Sequence, residues 1–256
     1  MEPGSLFAGA AAHYNRYRHG YSEDVIGYIA RELALGKRSR VLDLGCGPGT
    51  LTIPLARFAG TIVAVDPSDD MLEEGSRGAP PNVRWLKGDS GRLRELPLGR
   101  VDHTVMGRSF HWMDRVQVLA DLDAMLPPDG AVVLVGPPSD CAEPPWEPAV
   151  QAVRQRFGVE WRPGSEATRR SQRPHPEILA ASPFRVLSRA TFRAVARRDP
   201  EAVIGLQLSF SYSTPVRLGP RLPGFVEALA EVLEDNAPPD GWPEEVATEV
   251  VIARRP

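Results

Sequence analysis

Three acidic residues stand beside apolar segments that have the length of buried strands. Asp43 directly precedes the glycine-rich stretch "LGCGPG" (44–49), while Asp66 ends "TIVAVD" and Asp89 ends "NVRWLKGD". Glycine-rich turns between a strand and a helix bind nucleotides, and an acid at the end of the next strand hydrogen-bonds two ribose hydroxyls. The spacing therefore predicts a nucleoside site in which Asp66 holds the ribose. Asp89, or the backbone beside it, is expected to receive an adenine amino group.

Asp43 restricts the chemistry of that nucleoside. A dinucleotide places its pyrophosphate at the free amides of a helix N-terminus, and a carboxylate at the mouth of the loop would repel it. S-adenosylmethionine has no phosphate, and it carries an ammonium and a sulfonium that an acidic rim attracts. Its carboxylate still needs donors, which loop amides or an arginine can supply. The sequence therefore favours S-adenosylmethionine over NAD as cofactor.

Several segments resemble the motifs of a known family. In chain order they are "YNRYRHGYSEDV", "VLDLGCGPGT", "VAVDPSDDML", "KGDS" and "GRSFHWMD". They are similar to the successive motifs of class I S-adenosylmethionine-dependent methyltransferases. The nearest resemblance is to the small-molecule branch (methyltransferase type 11), which includes ubiquinone-biosynthesis-type and trans-aconitate-type enzymes. The resemblance covers residues 14–136 well and "HPEILAASPFRV" more loosely.

The resemblance implies a set of cofactor-binding residues. By position, Gly45, Cys46 and Gly47 lie at the methionine part of the cofactor, and Tyr14 and Arg18 close over the methionine end. Asp66 lies at the ribose, Pro67 and Met71 flank the adenine, and Asp89 and Ser90 lie at the amino edge of the adenine. Asp43 and Ser109 complete the set. Three of these have structural alternatives: Asp66 as a helix-capping acid, Met71 as a core residue and Arg18 as a solvated surface arginine. Cys46 is expected to be a small loop residue and not a nucleophile.

Two histidines are candidates for the chemistry. Methyl transfer is an in-line displacement with a neutral thioether as leaving group, so alignment supplies most of the rate. A phenol or amine acceptor needs a base, whereas a carboxylate does not. His111 follows the fourth strand, where acceptor and sulfonium should meet, and imidazole suits a base near neutral pH; the alternative is that it packs beside the cofactor and donates a hydrogen bond. His175 is the second candidate base, and Trp112 is expected to be a pocket wall.

Alternating strand-like and helix-like segments position these residues. From residue 22 to residue 136 the alternation is typical of a parallel sheet with helices on both faces. Predicted details include Ser22 and Ser68 as helix caps, a helix over 49–58, and a helix with Val116, Leu119, Leu122 and Leu126 near one face. With two late strands, "FRVLSRATFRAVA" and "EEVATEVVIARR", the predicted fold is a doubly wound, mostly parallel, seven-stranded Rossmann-like sheet in one domain, 1–256.

The alternation ends after Gly136. Residues 137–180 are rich in Pro and Arg, and they leave the fifth strand at the ligand-binding edge of the sheet. This predicts a lid insertion with a helical piece near 147–157. Its aromatic residues Trp146, Phe157 and Trp161 favour packing over the alternative of a disordered linker. Residues 1–21 are expected to form a cofactor-covering segment that meets the lid.

Composition excludes several classes of partner. The net charge is −3 and the pI is near 6.0, so the basic footprint of a nucleic-acid binder is lacking. Two cysteines make no disulfide framework, the N-terminus has no signal-peptide pattern, and no apolar run approaches ~20 residues. No metal-ligand spacing stands out. These features predict a cytoplasmic protein without membrane, nucleic-acid or metal partners.

The function that these observations favour is methyl transfer from S-adenosylmethionine to a small organic molecule. O-methylation is the first choice, and N- or C-methylation follows closely. Two other functions stay open. One is a methyltransferase-like cyclase or other non-methylating enzyme that retains the cofactor, and the other is a cofactor-binding scaffold.

Overall fold

A seven-stranded sheet forms the centre of the fold. The computed structural model describes residues 3–159 and 173–256. The strand order is β3-β2-β1-β4-β5-β7-β6. The strands are β1 Arg40–Leu44, β2 Thr61–Asp66, β3 Val83–Lys87, β4 His103–Gly107, β5 Ala131–Gly136, β6 Val186–Arg198 and β7 Trp242–Arg254. The first five strands pair in parallel and β7 pairs antiparallel with β5, which confirms the predicted mostly parallel sheet.

Helices connect these strands. In the described residues they are α1 Ala11–Tyr17, α2 Glu23–Glu32, α3 Thr52–Leu55, α4 Asp69–Ser76, α5 Arg115–Met125, α6 Glu147–Arg156, α7 His175–Ala180, α8 Pro200–Leu208, α9 Pro215–Leu218 and α10 Leu222–Glu234. Short 3-10 turns occupy Pro3–Ser5, Ser90–Glu95, Phe110–Trp112 and Gly219–Arg221. The predicted caps are confirmed, since the Ser22 hydroxyl accepts from the amide of Val25 and the Ser68 hydroxyl from that of Met71.

Two helix predictions differ from the structure. The helix expected over 49–58 is regular only over Thr52–Leu55, because Gly49 has a φ of +84° and the turn therefore extends past it. In α5, Val116 is 64% exposed. The buried positions of this helix include Arg115, Val118, Leu119 and Leu122, which are spaced as one helical face. The helix thus turns an arginine inward where the sequence pattern favoured a valine.

Apolar side chains cover both faces of the parallel strands. Leu42 and Leu44 belong to one buried cluster, whereas Val41 belongs to a second cluster with residues of α2 and α3. Successive side chains of a strand point to opposite faces, so β1 contributes to both cores. Leu179 of α7 and Phe184 extend the first cluster.

The chain divides into two compact units. The sheet unit comprises, among the described residues, 20–138, 173–192 and 248–256, and the helical unit comprises 3–19, 139–159 and 193–247. The prediction of one domain with an inserted lid stays a prediction. The predicted lid is divided, because 139–159 belong to the helical unit and 173–180 to the sheet unit.

The helical unit has its own core, built around residues that include Trp146, Phe225 and Leu229. Trp146 is buried and Phe157 packs against the cluster, so the packing role expected of both is confirmed. Trp161 lies outside the described residues. Helices α8, α9 and α10, which were not predicted, supply most of this core.

Candidate functional site

The glycine loop follows β1 at its carboxyl end. Gly45 and Gly47 have φ values of +73° and +53°, a region that side chains other than glycine rarely adopt. A Cβ on Gly45 would lie 2.5 Å from the Cβ of Ser109, whereas a Cβ on Gly47 would meet no atom within 4 Å. Gly45 is therefore required for packing, and Gly47 faces open space.

Backbone bonds tie the loop to the end of β2. The amides of Gly45 and Cys46 donate to the Val65 carbonyl over 2.8 and 3.0 Å, and the Gly47 amide donates to Oδ2 of Asp66 over 2.9 Å. These three amides already have partners. The donors for the carboxylate of a ligand, other loop amides or an arginine, stay a prediction.

Asp66 is buried at the end of β2, as predicted. Its Oδ1 accepts from the Ser68 amide over 2.9 Å, and Ser68 itself caps α4, so Asp66 is not the cap of that helix. Burial raises the pKa of Asp66, although the two amide bonds oppose this shift. A carboxylate offers about four acceptor positions, so both oxygens retain capacity for ribose hydroxyls.

The position of Asp43 differs from the predicted one, which was the mouth of the loop. It lies within β1 and is only 1% exposed, on the face that Val41 shares. Its Oδ2 accepts from the Thr52 hydroxyl over 2.5 Å, while its buried Oδ1 has no hydrogen-bond partner within residues 3–159 and 173–256. Burial raises the pKa of Asp43 to about 7, and the nearby Asp66 adds to the shift. The carboxyl group thus lies beneath the loop, and near pH 7 both its charged and its neutral form are populated.

The predicted adenine residues lie on the other side of Asp66. The Gly88 amide donates to the Asp66 carbonyl over 3.1 Å, which brings the next turn close. Asp89 caps the 3-10 turn, accepting from the Gly91 amide over 2.6 Å. Pro67 and Ser90 are half-buried. Met71 is 2% exposed, which favours its core role.

A turn after β4 closes the site from the opposite side. The buried Ser109 donates from its hydroxyl to the Leu44 carbonyl over 2.7 Å, and Gly45 packs against Ser109 and Met113. Ser109 therefore holds this turn against the glycine loop, and its hydroxyl proton is used within the protein. His111 and Trp112 lie in the same turn and are half-buried.

The structure brings the two candidate histidines together. The ring centroids of His111 and His175 are 6.4 Å apart with an interplanar angle of 25°. His175 also meets Phe110 edge-on at 5.1 Å. The guanidinium of Arg115 lies 3.1 Å from Nδ1 of His175, a contact that sequence reasoning missed. The sequence contained no signal for it, because the apolar pattern placed Val116 and not Arg115 on the buried face of α5.

Tyr14 and Arg18 belong to the helical unit. The Arg18 guanidinium lies between the rings of Tyr14 and Phe210, at 4.2 and 4.7 Å from their centroids. It also donates to the hydroxyl and the carbonyl of Ser209, both over 3.0 Å. A solvated surface arginine is therefore excluded for Arg18, and the role of both residues at the cofactor stays a prediction.

The described residues include a further group of possible reactivity in the loop, the Cys46 thiol. Burial raises the pKa of the Cys46 thiol well above its usual value, which opposes thiolate chemistry and agrees with a loop residue. Within residues 3–159 and 173–256, no group of three or more His, Cys, Asp or Glu is placed to hold a metal ion. The same residues contain no helix of the length and apolarity that a membrane span requires.

Comparison with known proteins decides the family. Residues 41–130 match the methyltransferase domain family. The chain is 28% identical over 208 residues to an uncharacterized methyltransferase of Mycobacterium tuberculosis, covering 80% of this chain and 76% of the relative. It is 36% identical over 123 residues to trans-aconitate 2-methyltransferase of Enterobacter, covering 45% of this chain and 46% of that relative.

These matches support a class I S-adenosylmethionine-dependent methyltransferase. The fold agrees with a solved S-adenosylmethionine-dependent methyltransferase from Thiobacillus denitrificans in complex with S-adenosyl-L-homocysteine. The TM-score is 0.55 at 18% identity, over 97% of this chain and 98% of that one. In this methyltransferase, the residues that match the methyltransferase domain family, 41–130, include the glycine loop, Asp66, Asp89 and the turn with His111.

The site of the methyltransferase fits its cofactor. In the part of the chain that the structure describes, Gly47 faces open space and the buried Oδ1 of Asp43 has no hydrogen-bond partner. Among the described residues, Asp43 and Asp66 accept hydrogen bonds from hydroxyl and amide groups, and neither acid is paired with a cation. Two such acids suit a cationic, phosphate-free nucleoside.

Proposed function

We propose that this methyltransferase transfers the methyl group of S-adenosylmethionine to an oxygen of a small organic acceptor. The observation that carries the proposal is the turn at Phe110–Trp112, which presents the half-buried His111 beside the glycine loop. The loop contact is direct, since Gly45 packs against Ser109 and Met113 on either side of this turn.

The cofactor-binding part of the proposal uses residues of the sheet unit. Asp66 accepts the two ribose hydroxyls, with Pro67 on one side of the adenine and Asp89 and Ser90 at its amino edge. Gly47 allows close approach of the methionine part. The cofactor supplies an activated methyl group, and its sulfonium becomes a neutral thioether when the acceptor oxygen gains that methyl.

His111 is proposed to act on the acceptor. An imidazole within hydrogen-bond reach removes the proton of a hydroxyl or phenol acceptor as the new bond forms. With a carboxylate acceptor no proton is removed, and His111 then contributes only a hydrogen bond and shape. Because the leaving group is neutral, alignment of the reactants is the main task of the site.

Two observations support a small acceptor. The Enterobacter relative is by its name a trans-aconitate 2-methyltransferase, and trans-aconitate is a small carboxylic acid. The net charge of −3 disfavours binding to a nucleic-acid backbone. The relative's name supports an acidic metabolite of modest size, and the net charge supports a small molecule over a nucleic acid.

The test is incubation of the purified protein with methyl-labelled S-adenosylmethionine and a metabolite extract. Label in a low-molecular-weight product is expected, and mass spectrometry of that product should show the methyl on oxygen. Methyl on nitrogen or carbon would contradict O-methylation, and label only in protein or nucleic acid would contradict a small acceptor. Unlabelled turnover would indicate a cyclase-type enzyme, and cofactor binding without turnover a scaffold. The His111→Phe variant, matched with Trp112→Phe in the same turn, then tests the role of the imidazole.

A further inference from the structure

His175 is held on three sides by residues of the sheet unit. It is the first residue of α7, where Phe110 meets its ring edge-on and His111 lies nearly parallel to it. On the third side is Arg115, which is 5% exposed. The position of this ring is therefore set by packing and by one polar contact.

That polar contact fixes the proton of the imidazole. Nη1 of Arg115 lies 3.1 Å from Nδ1 of His175, and the same nitrogen donates to the Arg173 carbonyl over 2.8 Å. A guanidinium can only donate hydrogen bonds, and its terminal nitrogen carries two hydrogens, one for each partner. Nδ1 of His175 must therefore accept, and a neutral ring then carries its proton on Nε2.

The same surroundings oppose the base role that the sequence suggested for His175. Burial, and next the charge of Arg115, lower the pKa of His175 to about 4. The conjugate base of such an acid takes a proton poorly at neutral pH. Within the described residues Nε2 makes no hydrogen bond, so its N–H is available to a ligand.

We infer that His175 donates a hydrogen bond from Nε2 to an anionic oxygen of the acceptor, and that Arg115 is the positioning residue that keeps the proton on Nε2. The inference rests on the proposed O-methylation. It names the acceptor class as a small carboxylate.

The charges around the ring support an anionic acceptor. Arg115 lies on the Nδ1 side of the ring. Arg173 donates to the Glu177 carbonyl, and its guanidinium is 3.9 Å from the exposed Glu177 carboxylate. Asp114 is exposed and caps α5 through the Gln117 amide. Arg115 is thus a buried cation in contact with His175, and its field favours negative charge on the ligand.

The first experiment reads the proton directly. Full-length protein with 15N-labelled histidine and bound S-adenosylhomocysteine is examined by long-range 1H–15N correlation at pH 7, with His175→Phe used to assign the signals. The expected spectrum has a protonated Nε2 and an unprotonated Nδ1 for His175. A proton on Nδ1, or a doubly protonated ring, would overturn the inference. In Arg115→Met the two tautomers should mix, a change that loss of packing alone would not produce.

The second experiment tests the acceptor class with benzoate and its neutral counterpart benzamide as probes. Benzoate should shift the His175 signals and benzamide should not. Hydrogen bonds to charged groups contribute about 1.5–3 kcal/mol, so His175→Phe should weaken benzoate binding by about tenfold or more. His175→Gln, which retains an N–H donor, should restore most of it.

Each outcome of that titration is decisive. Equal binding of both probes, or no response of the His175 signals to either, overturns the inference. Because both experiments use S-adenosylhomocysteine and no turnover, they stand apart from the labelling test. Methyl transfer to nitrogen would refute the proposed function while leaving the measured tautomer unchanged.

Discussion

The pKa values of buried acids are shifted in opposite directions in the two units of the molecule. In the helical unit, burial alone would raise the pKa of Glu244, but the His19 imidazole, whose Nε2 lies 3.5 Å from the carboxylate, and the charge of Arg198 outweigh it, and the pKa is lowered. In the sheet unit, the pKa values of Asp43 and Asp66 are raised. The first acid is neutralised within the protein, whereas the other two have no cation partner among the described residues.

The contacts explain this difference. Glu244 accepts from Nε of Arg198 over 2.5 Å and from the Trp146 indole over 3.3 Å. Among the described residues, Asp43 and Asp66 accept only from a hydroxyl and from backbone amides. A charge paired in the folded chain supports structure, while unpaired acids at an open loop suit a cationic ligand. This contrast separates the parts of the chain that fold the protein from the parts that bind.

The largest effect is expected from breaking the internal pair. Arg198→Met removes the cation and leaves Glu244 buried and charged, which should lower the free energy of unfolding by ~3–5 kcal/mol. Urea denaturation followed by tryptophan fluorescence measures this loss. S-adenosylhomocysteine affinity at conditions where the variant is folded should change little.

Arg193→Met is the matched control, because it lies on the same strand and pairs with Glu245 and Asp140 at the surface. Exposed pairs contribute little, so this variant should denature almost as the wild type does. If Arg198→Met is no less stable than Arg193→Met, the helical unit does not depend on its buried pair and the contrast between the units fails.

The sheet unit could be predicted in more detail than the helical unit. The five parallel strands, the caps Ser22 and Ser68 and the place of Asp66 follow from short apolar runs and turn residues, which are local signals. The second unit combines segments distant in sequence, and its interior includes Arg154, Arg198 and Glu244. None of these charges lies in α8 or α10, whose buried residues have helical spacing, so both helices were missed although the local pattern was present.

The candidate site shows the same limit. The residues of the glycine loop were identified because their conformation requires glycine. The burial of Asp43 and the contact between Arg115 and His175 were not, because both depend on which strand or helix lies next to another. Sequence pattern predicts the ends of the strands, whereas the pKa of a side chain there depends on tertiary packing.

The second prediction sharpens the contrast through pH. The pKa of Asp43 is about 7 in the folded protein, against ~3.9 in an unfolded chain. The folded state therefore holds this proton more tightly, so the contribution of Asp43 to stability is greatest below pH ~4 and falls as pH rises towards 7. The difference corresponds to at most ~4 kcal/mol.

Asp43→Asn isolates this contribution, because it keeps the shape and removes the titration. Its free energy of unfolding, measured from pH 4 to 8, should increase relative to that of the wild type as pH rises. A cationic ligand favours the charged acid, so wild-type affinity for S-adenosylmethionine should increase through pH 7. Parallel stability curves for the two proteins would show that Asp43 is ionised throughout and that burial does not raise its pKa.

The smallest of the three effects concerns Asp66, and it tests whether an acid without an internal cation serves the ligand. Asp66→Ala removes a charged acceptor from the proposed ribose site, at a cost of about 1.5–3 kcal/mol, so S-adenosylhomocysteine should bind about tenfold or more weakly in calorimetry. The variant also loses the bonds from the Gly47 and Ser68 amides, so a thermal melt must show that it is folded. Asp69→Ala is the control, since Asp69 is exposed and pairs with Lys87 at 2.6 Å, and its affinity should match the wild type. Unchanged affinity in a folded Asp66→Ala protein would place the ribose elsewhere. Asp66 would then be a structural acid like Glu244, held by backbone amides in place of an arginine.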